Sequence, residues 1–207
     1  FRYTRSMENN HTIIIGNSTH FINEITKITK NIDVISWRNP KFKSTINTNQ
    51  KEKIIYICGY DYDSYKKNYE IYINTNVNNI LNYIKKIKNI KQIYYINTII
   101  KNRKTFSRYL YAKAILNERL NDKYGNLLKV IECPTITDQK GNPIVNGNKL
   151  NKLIFKVLIK YNLINTVKIN EILNSGEIKK NIIRVEGVGI KIKRTQFIDR
   201  ILRFTLG

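Results

Sequence analysis

Tyr109 and Lys113 place a phenol and an amine four residues apart, and these two groups can together hold or transfer a proton. The segment from Tyr109 to Leu120 is rich in strong helix formers and is predicted to be an α-helix. Residues four apart lie on one face of a helix, so both side chains project in the same direction. The pattern also fits a helix with one core-facing tyrosine and one solvated lysine, because two fixed positions recur easily in a chain with 14 tyrosines.

A second group of residues with chemical meaning is a turn near the amino terminus. Ile13–Ile15 is predicted to be a strand, and apolar residues recur at helical spacing from Phe21 to Ile28. A phosphate-binding turn between a strand and a helix needs glycines for its tight bend, for close approach of the backbone to pyrophosphate and for helix packing. Side chains stand in those places here, which should remove much of the phosphate affinity of the helix N-terminus. The turn therefore resembles a nucleotide site that has been closed.

The elements that must position these residues are indicated by the apolar pattern. Short β-like runs alternate with helical stretches, which is typical of a parallel sheet covered by helices and predicts an α/β fold. The segment from Pro134 to Gly147 is predicted to be rich in turns. The predicted strands are 13–15, 33–37, 54–58, 93–96 and 127–131, and the predicted helical stretches are 21–28, 80–87, 109–120 and 150–159.

Length and composition indicate one domain, residues 1–207. With 207 residues, of which 42% are hydrophobic, the chain can bury one core. No apolar run reaches the roughly 18 residues that a membrane-spanning helix needs. Cys58 and Cys133 lie in apolar runs and are predicted to be buried, reduced thiols, whereas His11 and His20 are too isolated to indicate a metal site. These features favour the interior of a cell or of an organelle.

A formal net charge of +22, from 37 basic and 15 acidic residues, is the strongest signal in the composition. An A+T-rich coding sequence would enrich lysine, but it would enrich the acidic residues as well, so codon bias explains the imbalance only in part. A field of this size attracts polyanions. The charge therefore predicts RNA or another polyanion as a neighbour.

Basic residues form clusters that could contact nucleic acid. Basic side chains neutralise phosphates, and aromatic side chains between them can stack on bases. Residues 189–207 form a basic C-terminal tail, which is predicted to be an amphipathic helix that packs on the body or on a partner, with peripheral membrane contact as a less favoured alternative. Each cluster also fits a solvated face. The candidate nucleic-acid residues are Lys85, Lys86, Lys88, Lys101, Arg103, Lys104, Lys191, Lys193, Arg194, Arg200 and Arg203.

Several short motifs succeed one another in the order and spacing of a known family. The matching segments, each with the family motif that it resembles, are Gly16–Asn23 (TGGTGFIG), Ile57–Gly59 (LAG), Asn74 (near VN), Asn97–Thr98 (SS), Tyr109–Lys113 (YxxxK), Glu132–Pro134 (LRP) and 176–188 (GE…VDDV). Their order and spacing carry the match. The chain therefore resembles the extended short-chain dehydrogenase/reductase superfamily, of the NAD-dependent epimerase/dehydratase type.

The resemblance implies a Rossmann-like, doubly wound parallel sheet with a reduced C-terminal substrate portion. It makes Tyr109 the acid/base, Lys113 its helper that also holds the ribose, and Thr98 the hydroxyl that polarises the substrate oxygen. The positions that would contact NAD or NADP are Gly16, Asn17, His20, Asn23, Arg38 and Gly59.

Three departures from the family pattern count against catalysis. The three glycines of the family's turn fall on Asn17, His20 and Asn23. The acidic residue expected after the second strand is absent, and Arg38 could there hold a 2′-phosphate or remain solvated. Cys133 stands where the family's LRP motif has arginine.

Two functions from different classes fit these observations. The first is a non-catalytic, dehydrogenase-like basic subunit of a larger assembly, such as an organellar ribosome, with RNA and protein subunits as partners and without a cofactor. Its basis is the charge and the lost glycines; the start at Phe1, with basic residues before the first acid, also fits a trimmed targeting segment and a mitochondrial or other organellar matrix. The alternative is an NAD(P)-dependent nucleotide-sugar epimerase/dehydratase or reductase that uses Tyr109, Lys113 and Thr98.

Overall fold

The computed structural model describes residues 10–16, 18–36, 51–59, 68–98, 108–144, 149–175 and 182–185. The strands are β1 (His11–Ile15), β2 (Ile32–Ile35), β3 (Lys53–Ile57), β4 (Ile90–Thr98), β5 (Leu128–Cys133), β6 (Thr135–Thr137), β7 (Thr166–Lys168) and β8 (Ile182–Arg184). The helices are α1 (Thr19–Thr26), α2 (Tyr69–Ile73), α3 (Asn79–Lys85), α4 (Arg108–Tyr124), α5 (Lys149–Lys160) and α6 (Ile169–Ser175), and a π-helical turn, Asn74–Asn78, joins α2 to α3.

Six strands form one parallel sheet in the order β2-β1-β3-β4-β5-β8. Strands β1 and β3 are buried along their whole length, as isoleucine-rich strands covered on both faces should be. The order of the strands reverses at this point of the sheet: β2 lies beside β1 on one side, and β3 lies beside β1 on the other. Strands β1 and β3 therefore flank a switch point in the topology. In open α/β sheets, ligands bind outside the carboxyl ends of the strands at such a switch point.

Helices cover both faces of this sheet. Alternate residues of a strand point to opposite faces, so Ile55 packs with helices α2 to α4 while its neighbour Tyr56 packs with α1 and α6. The first face holds the larger core, with Leu116 and Leu120 of α4 buried in it. This arrangement confirms the predicted α/β class and the doubly wound parallel sheet.

Most predicted elements are confirmed, with changes at their ends and in two connections. The second strand covers Ile32–Ile35 and ends before Ser36, while the fifth extends to Cys133. The turn-rich segment after Pro134 contains a short strand, β6, which pairs with β7 in a separate two-stranded sheet. The π-helical turn was not predicted. Cys58 and Cys133 are free and buried, as expected.

Among the described residues, no helix combines the length and the apolar character needed to cross a membrane. Several expectations fall outside the residues that the structure describes. These are the positions of Asn17, Arg38, Lys101, Arg103, Lys104, Lys191, Lys193, Arg194, Arg200 and Arg203, together with the predicted helix in 189–207.

Candidate active site

The end of β4 and the first turn of α4 bring two hydroxyl groups together at the carboxyl edge of the sheet. Thr98 is the last residue of β4, and Tyr109 is the second residue of α4. Their side-chain oxygens lie 2.8 Å apart, in hydrogen-bond contact. The backbone N–H of Thr98 donates to Oδ1 of Asn97 at 2.9 Å, which fixes the strand end. The predicted partners Thr98 and Tyr109 therefore meet, although ten residues separate them.

Lys113 lies one helical turn after Tyr109 and is buried, with 7% of its surface exposed. Its Nζ donates to the carbonyl oxygen of Ile96 at 3.0 Å. The same nitrogen lies 5.6 Å from the ring centre of Tyr109 and 5.2 Å from that of Tyr95. Cation–π attraction at these distances stabilises a buried ammonium. The interpretation of Lys113 as a solvated lysine is therefore wrong.

The groups around Lys113 stay neutral at physiological pH. Burial raises the pKa of the Cys58 and Cys133 thiols to about 12, although the charge of Lys113 acts in the opposite direction. Burial likewise raises the pKa of Tyr95 to about 12, again against the effect of Lys113. The two thiols therefore carry no negative charge that would pair with Lys113.

The π-helical turn brings Asn76 to the same site, although Asn74 was the residue named from the sequence. Asn76 is 3% exposed and lines a cavity of about 10 Å³ together with Gly59, Tyr95 and Lys113. Its Nδ2 donates to the carbonyl oxygen of Tyr72 at 3.1 Å. A π turn adds a residue to the helix and rotates the residues after it, and the apolar periodicity carried no signal for this shift. Asn74 itself is exposed.

Gly16 and Gly59 stand at the switch point, one after β1 and the other shortly after β3. Their φ angles of 150° and 131° fall where side chains are disfavoured, so both positions require glycine. Helix α1 starts at Thr19, and its N-cap residue Ser18 makes no capping hydrogen bond through its side chain within the described structure. The first turn of α1 therefore presents backbone N–H groups toward the carboxyl edge.

His20 and Asn23 are exposed on the first turns of α1 and face a loop after β6. The cleft between them has a volume of about 70 Å³ and is also lined by Glu24, Asp138 and Gln139. Burial would raise the pKa of Asp138, but hydrogen bonds from the residues of its own turn, with His20 nearby, hold it below the ordinary value. Asp138 is therefore an anion facing the start of α1, Thr19–Asn23, where the family resemblance would place a diphosphate; this segment is called the diphosphate turn.

The residues present fit one half of a dinucleotide better than the other. A buried lysine, a tyrosine beside it and a required glycine, Gly59, fit the nicotinamide-ribose half. The other half fits poorly, because a diphosphate would meet the side chains of His20 and Asn23 and the carboxylate of Asp138. A cleft of about 70 Å³ is also well below the 300–1,000 Å³ of ordinary ligand pockets.

The described part of the basic surface lies away from this site. Lys85, Lys86 and Lys88 are exposed at the end of α3 and in the turn before β4. This turn lies at the amino edge of the sheet, whereas Thr98 ends β4 at the carboxyl edge. Lys91, beside this cluster, pairs with Glu52. The structure thus separates these three candidate nucleic-acid lysines, the only ones among the described residues, from the candidate catalytic residues.

Solved structures with a similar fold include sugar-nucleotide enzymes. The chain is similar to the UDP-glucose 4-epimerase of Thermotoga maritima, with 13% identity, a TM-score of 0.56, and coverage of 94% of this chain and 82% of that one. The UDP-N-acetylglucosamine 4-epimerase of Methanobrevibacter ruminantium has 14% identity and a TM-score of 0.56, and the match covers 95% of this chain and 82% of that one. The Bordetella bronchiseptica enzyme WbmF, solved with NADH, has 12% identity and a TM-score of 0.55, and the match covers 97% of this chain and 78% of that one.

These similarities confirm the Rossmann-like fold that the motifs predicted. At 12–14% identity the likeness concerns the fold alone. No family model and no curated protein matches the sequence. The roles of Tyr109, Lys113 and Thr98 therefore depend on their own geometry.

Proposed function

We propose that the protein is an NAD(P)-dependent enzyme that moves a hydride and a proton at an alcohol or carbonyl carbon, as a nucleotide-sugar epimerase/dehydratase or a reductase. The observation that carries the proposal is the 2.8 Å contact between Thr98 Oγ1 and Tyr109 OH, one helical turn from the buried Lys113. Packing alone does not require two hydroxyls to meet at the edge of a sheet. Their position is the one at which α/β sheets bind ligands.

The side chains divide the work of proton transfer. A substrate oxygen lying beside both Thr98 Oγ1 and Tyr109 OH would accept hydrogen bonds from the two hydroxyls in place of their mutual contact, and Tyr109 would transfer its proton to it. The ammonium of Lys113, 5.6 Å from the tyrosine ring centre, would stabilise the phenolate that remains. The nicotinamide would supply the hydride donor or acceptor, held at its ribose by Lys113 and approached closely by the backbone of Gly59.

The proposed substrate class is a sugar nucleotide. Two of the similar folds belong to enzymes named for UDP-glucose and UDP-N-acetylglucosamine. A chain with a formal net charge of +22 attracts anionic ligands, and a sugar nucleotide carries its charge on phosphates. A reductase of smaller carbonyl compounds uses the same residues and differs in the substrate alone.

Calorimetric titration of NADH and NADPH into the purified chain tests the proposal, together with an epimerisation assay with UDP-glucose and a reductase assay with simple ketones. Micromolar binding of one nucleotide and turnover that Tyr109→Phe abolishes are the expected results. Absence of binding at millimolar nucleotide would overturn the proposal. Turnover that is unchanged in Tyr109→Phe would also overturn it, because the activity would then arise at another site.

A second candidate is a non-catalytic basic subunit of a ribonucleoprotein or another larger assembly. The observations that favour it are the charge of +22, the side chains of His20 and Asn23 in the diphosphate turn, and the carboxylate of Asp138 that faces this turn. Under this function the protein binds RNA with an affinity that falls steeply with salt, since each neutralised phosphate releases counterions. Filter binding with single-stranded RNA over a range of salt concentrations distinguishes the two functions, because the enzyme does not require such binding.

A further inference from the structure

Helix α5 carries an exposed apolar stripe that no described element covers. Leu150, Leu153 and Val157 recur at intervals of three and four residues and are 60%, 58% and 45% exposed. Tyr161, immediately after the helix, continues the stripe and is 63% exposed. Residues at this spacing lie on one side of a helix. The stripe extends over about 16 Å, at about 1.5 Å for each residue.

A second stripe, made of lysines, runs beside the first. Its members are exposed and recur at the same intervals, each one position before a member of the apolar stripe; they are Lys149, Lys152, Lys156 and Lys160. The sequence from 149 to 161 contains no acidic residue. The helix therefore presents positive charge alongside its apolar side chains and has no acidic residue of its own.

The inner side of α5 is packed independently of both stripes. Phe155 and Leu158 are buried with Ile164, a residue beyond the end of the helix, and Ile154 and Ile159 pack against them. This cluster is separate from the two cores of the main sheet. Since the inner side holds the helix in place, Leu150 and Leu153 are not needed for that purpose.

From Lys149 to Val157 the spacing of both stripes matches one side of a helix–helix seam, whereas the next d position is Lys160 and Tyr161 falls at e. In heptad terms, Leu150, Leu153 and Val157 take positions a, d and a, and Lys149 and Lys156 take the flanking position g. Lysines at g pair with acidic residues on a partner helix, while a and d side chains interdigitate. We propose that the face from Lys149 to Tyr161 binds an amphipathic helix of another protein, one that carries glutamates or aspartates beside an apolar stripe.

Charge excludes the two occupants of this face that the chain itself could supply, a second copy of α5 and the C-terminal tail. A second copy of α5 would bring lysines against lysines. The C-terminal tail 189–207 contains five basic residues and one acidic residue, Asp199, so it is repelled as well.

Geometry disfavours RNA and an anionic membrane, the two polyanions that the lysines of this face could also attract. RNA would contact the lysines and leave the apolar stripe exposed. A helix lying on an anionic membrane places lysines on both sides of its apolar stripe. On α5 the side of the apolar stripe opposite the lysines carries the half-buried Ile154, where a membrane-bound helix would have a second row of lysines.

The probe for the test is a synthetic three-heptad peptide with leucine at a and d and glutamate at e and g, and the control peptide has glutamine in place of glutamate. Fluorescence anisotropy with the full chain should show binding of the glutamate peptide and weak or no binding of the glutamine peptide. The double variant Leu150→Ser/Leu153→Ser should weaken binding by about tenfold or more, as expected of residues central to an interface. Ile71→Ser, at a residue 41% exposed on α2, is the matched control and should change nothing.

A second pair of variants tests the lysine stripe. Lys149→Gln/Lys156→Gln should weaken binding and reduce its salt dependence, whereas Lys85→Gln/Lys86→Gln should not, because those lysines lie on α3 and its end. Equal binding of both peptides, or binding that the serine variant leaves unchanged, would overturn the proposal. Flotation with vesicles of phosphatidylcholine and phosphatidylglycerol tests a membrane as the occupant of this face. The proposal would be overturned if the wild-type chain bound the vesicles but not the peptide and the serine variant lost the vesicle binding. Circular dichroism verifies that each variant is folded, and none of these measurements depends on nucleotide binding.

Discussion

Two regions at the carboxyl edge of the sheet contrast sharply. The proton-transfer region, made of Thr98, Tyr109 and Lys113, is assembled and tied into the core, with Lys113 bonded to a backbone carbonyl. The diphosphate turn, by contrast, carries exposed side chains at His20 and Asn23 and faces the anionic Asp138. The first region therefore has the arrangement that the proposed chemistry needs, whereas the second does not have the open, glycine-lined form that a diphosphate site needs.

The contrast has a physical reason in the energetics of the two regions. Replacing Lys113 would leave a cavity and an unpaired buried carbonyl, so a change there costs stability whether or not the residue acts in catalysis. Replacing an exposed residue at the start of a helix costs little. The retention of Lys113 is consequently weak support for catalysis, whereas the contact between the Thr98 and Tyr109 hydroxyls is stronger support, because stability does not depend on it to the same extent.

The largest expected effect is the loss of turnover in Tyr109→Phe. Removal of one hydroxyl takes away the proton that Tyr109 would transfer, and general acid–base catalysis contributes roughly 10²–10⁴-fold. We expect kcat to fall by that factor while the melting temperature changes little, because Tyr109 is only partly buried. Steady-state kinetics on the substrate found in the epimerase and reductase assays measures the effect.

Tyr111→Phe is the matched control for this substitution. Tyr111 lies on the same helix, is 39% exposed, and contacts the ring of Tyr69. It should retain full turnover. Equal losses in both variants would mean that the helix, and not the hydroxyl of Tyr109, is responsible.

Sequence patterns predicted the proton-transfer region better than the residues around it. Isoleucine runs and helical stripes predicted the elements of the sheet, and the motif order named Tyr109, Lys113 and Thr98, which the structure brings close together. Asn76 was missed because a π turn shifts the helical register without altering which residues are apolar. Asp138 was missed because its loop meets α1 through tertiary packing between segments far apart in the sequence. Burial of Lys113 was likewise invisible, since a lysine at that spacing fits a solvated face equally well.

The second effect concerns alkaline pH and the two buried thiols whose pKa values are influenced by Lys113. Burial raises the pKa of Cys58 and Cys133 from 9.0 in the unfolded chain to about 12 in the folded protein. Their contribution to stability is complete below pH 9 and is lost as the pH rises toward 12. Each thiol should lower the free energy of unfolding by about 1.4 kcal/mol per pH unit in that window. Urea unfolding at a series of pH values, monitored by far-ultraviolet circular dichroism, measures the slope.

Cys58→Ala/Cys133→Ala serves as the comparison for this slope. The variant is less stable at pH 7, because it loses buried volume, but its stability should fall less steeply above pH 9. A slope identical to that of the wild-type chain would show that the two thiols ionise alike in the folded and unfolded states, which contradicts their burial.

A smaller effect is expected from restoring glycine to the diphosphate turn. His20→Gly/Asn23→Gly removes two of the side chains that line the cleft and exposes the backbone N–H groups of α1. We expect NADH affinity to rise by about tenfold, equivalent to about 1.4 kcal/mol. Thr26→Gly, at an exposed position of the same helix, carries the helix penalty of glycine without opening the cleft and should leave affinity unchanged. Unchanged affinity in the double variant would mean that the two side chains do not obstruct the nucleotide.

The smallest effect should come from Asp138→Asn, which removes the negative charge facing the turn while preserving an oxygen acceptor for the N–H groups of Lys140 and Asn142. The charge lies in a partly exposed cleft, so its repulsion of a diphosphate is screened by solvent and salt. We expect NADH affinity to rise about two- to threefold at low salt and the gain to vanish at high salt. Asp122→Asn, on the exposed surface of α4, is the charge-matched control. A gain of equal size in that control would assign the effect to the net charge of the protein, and the carboxylate of Asp138 would then have no specific part in closing the turn.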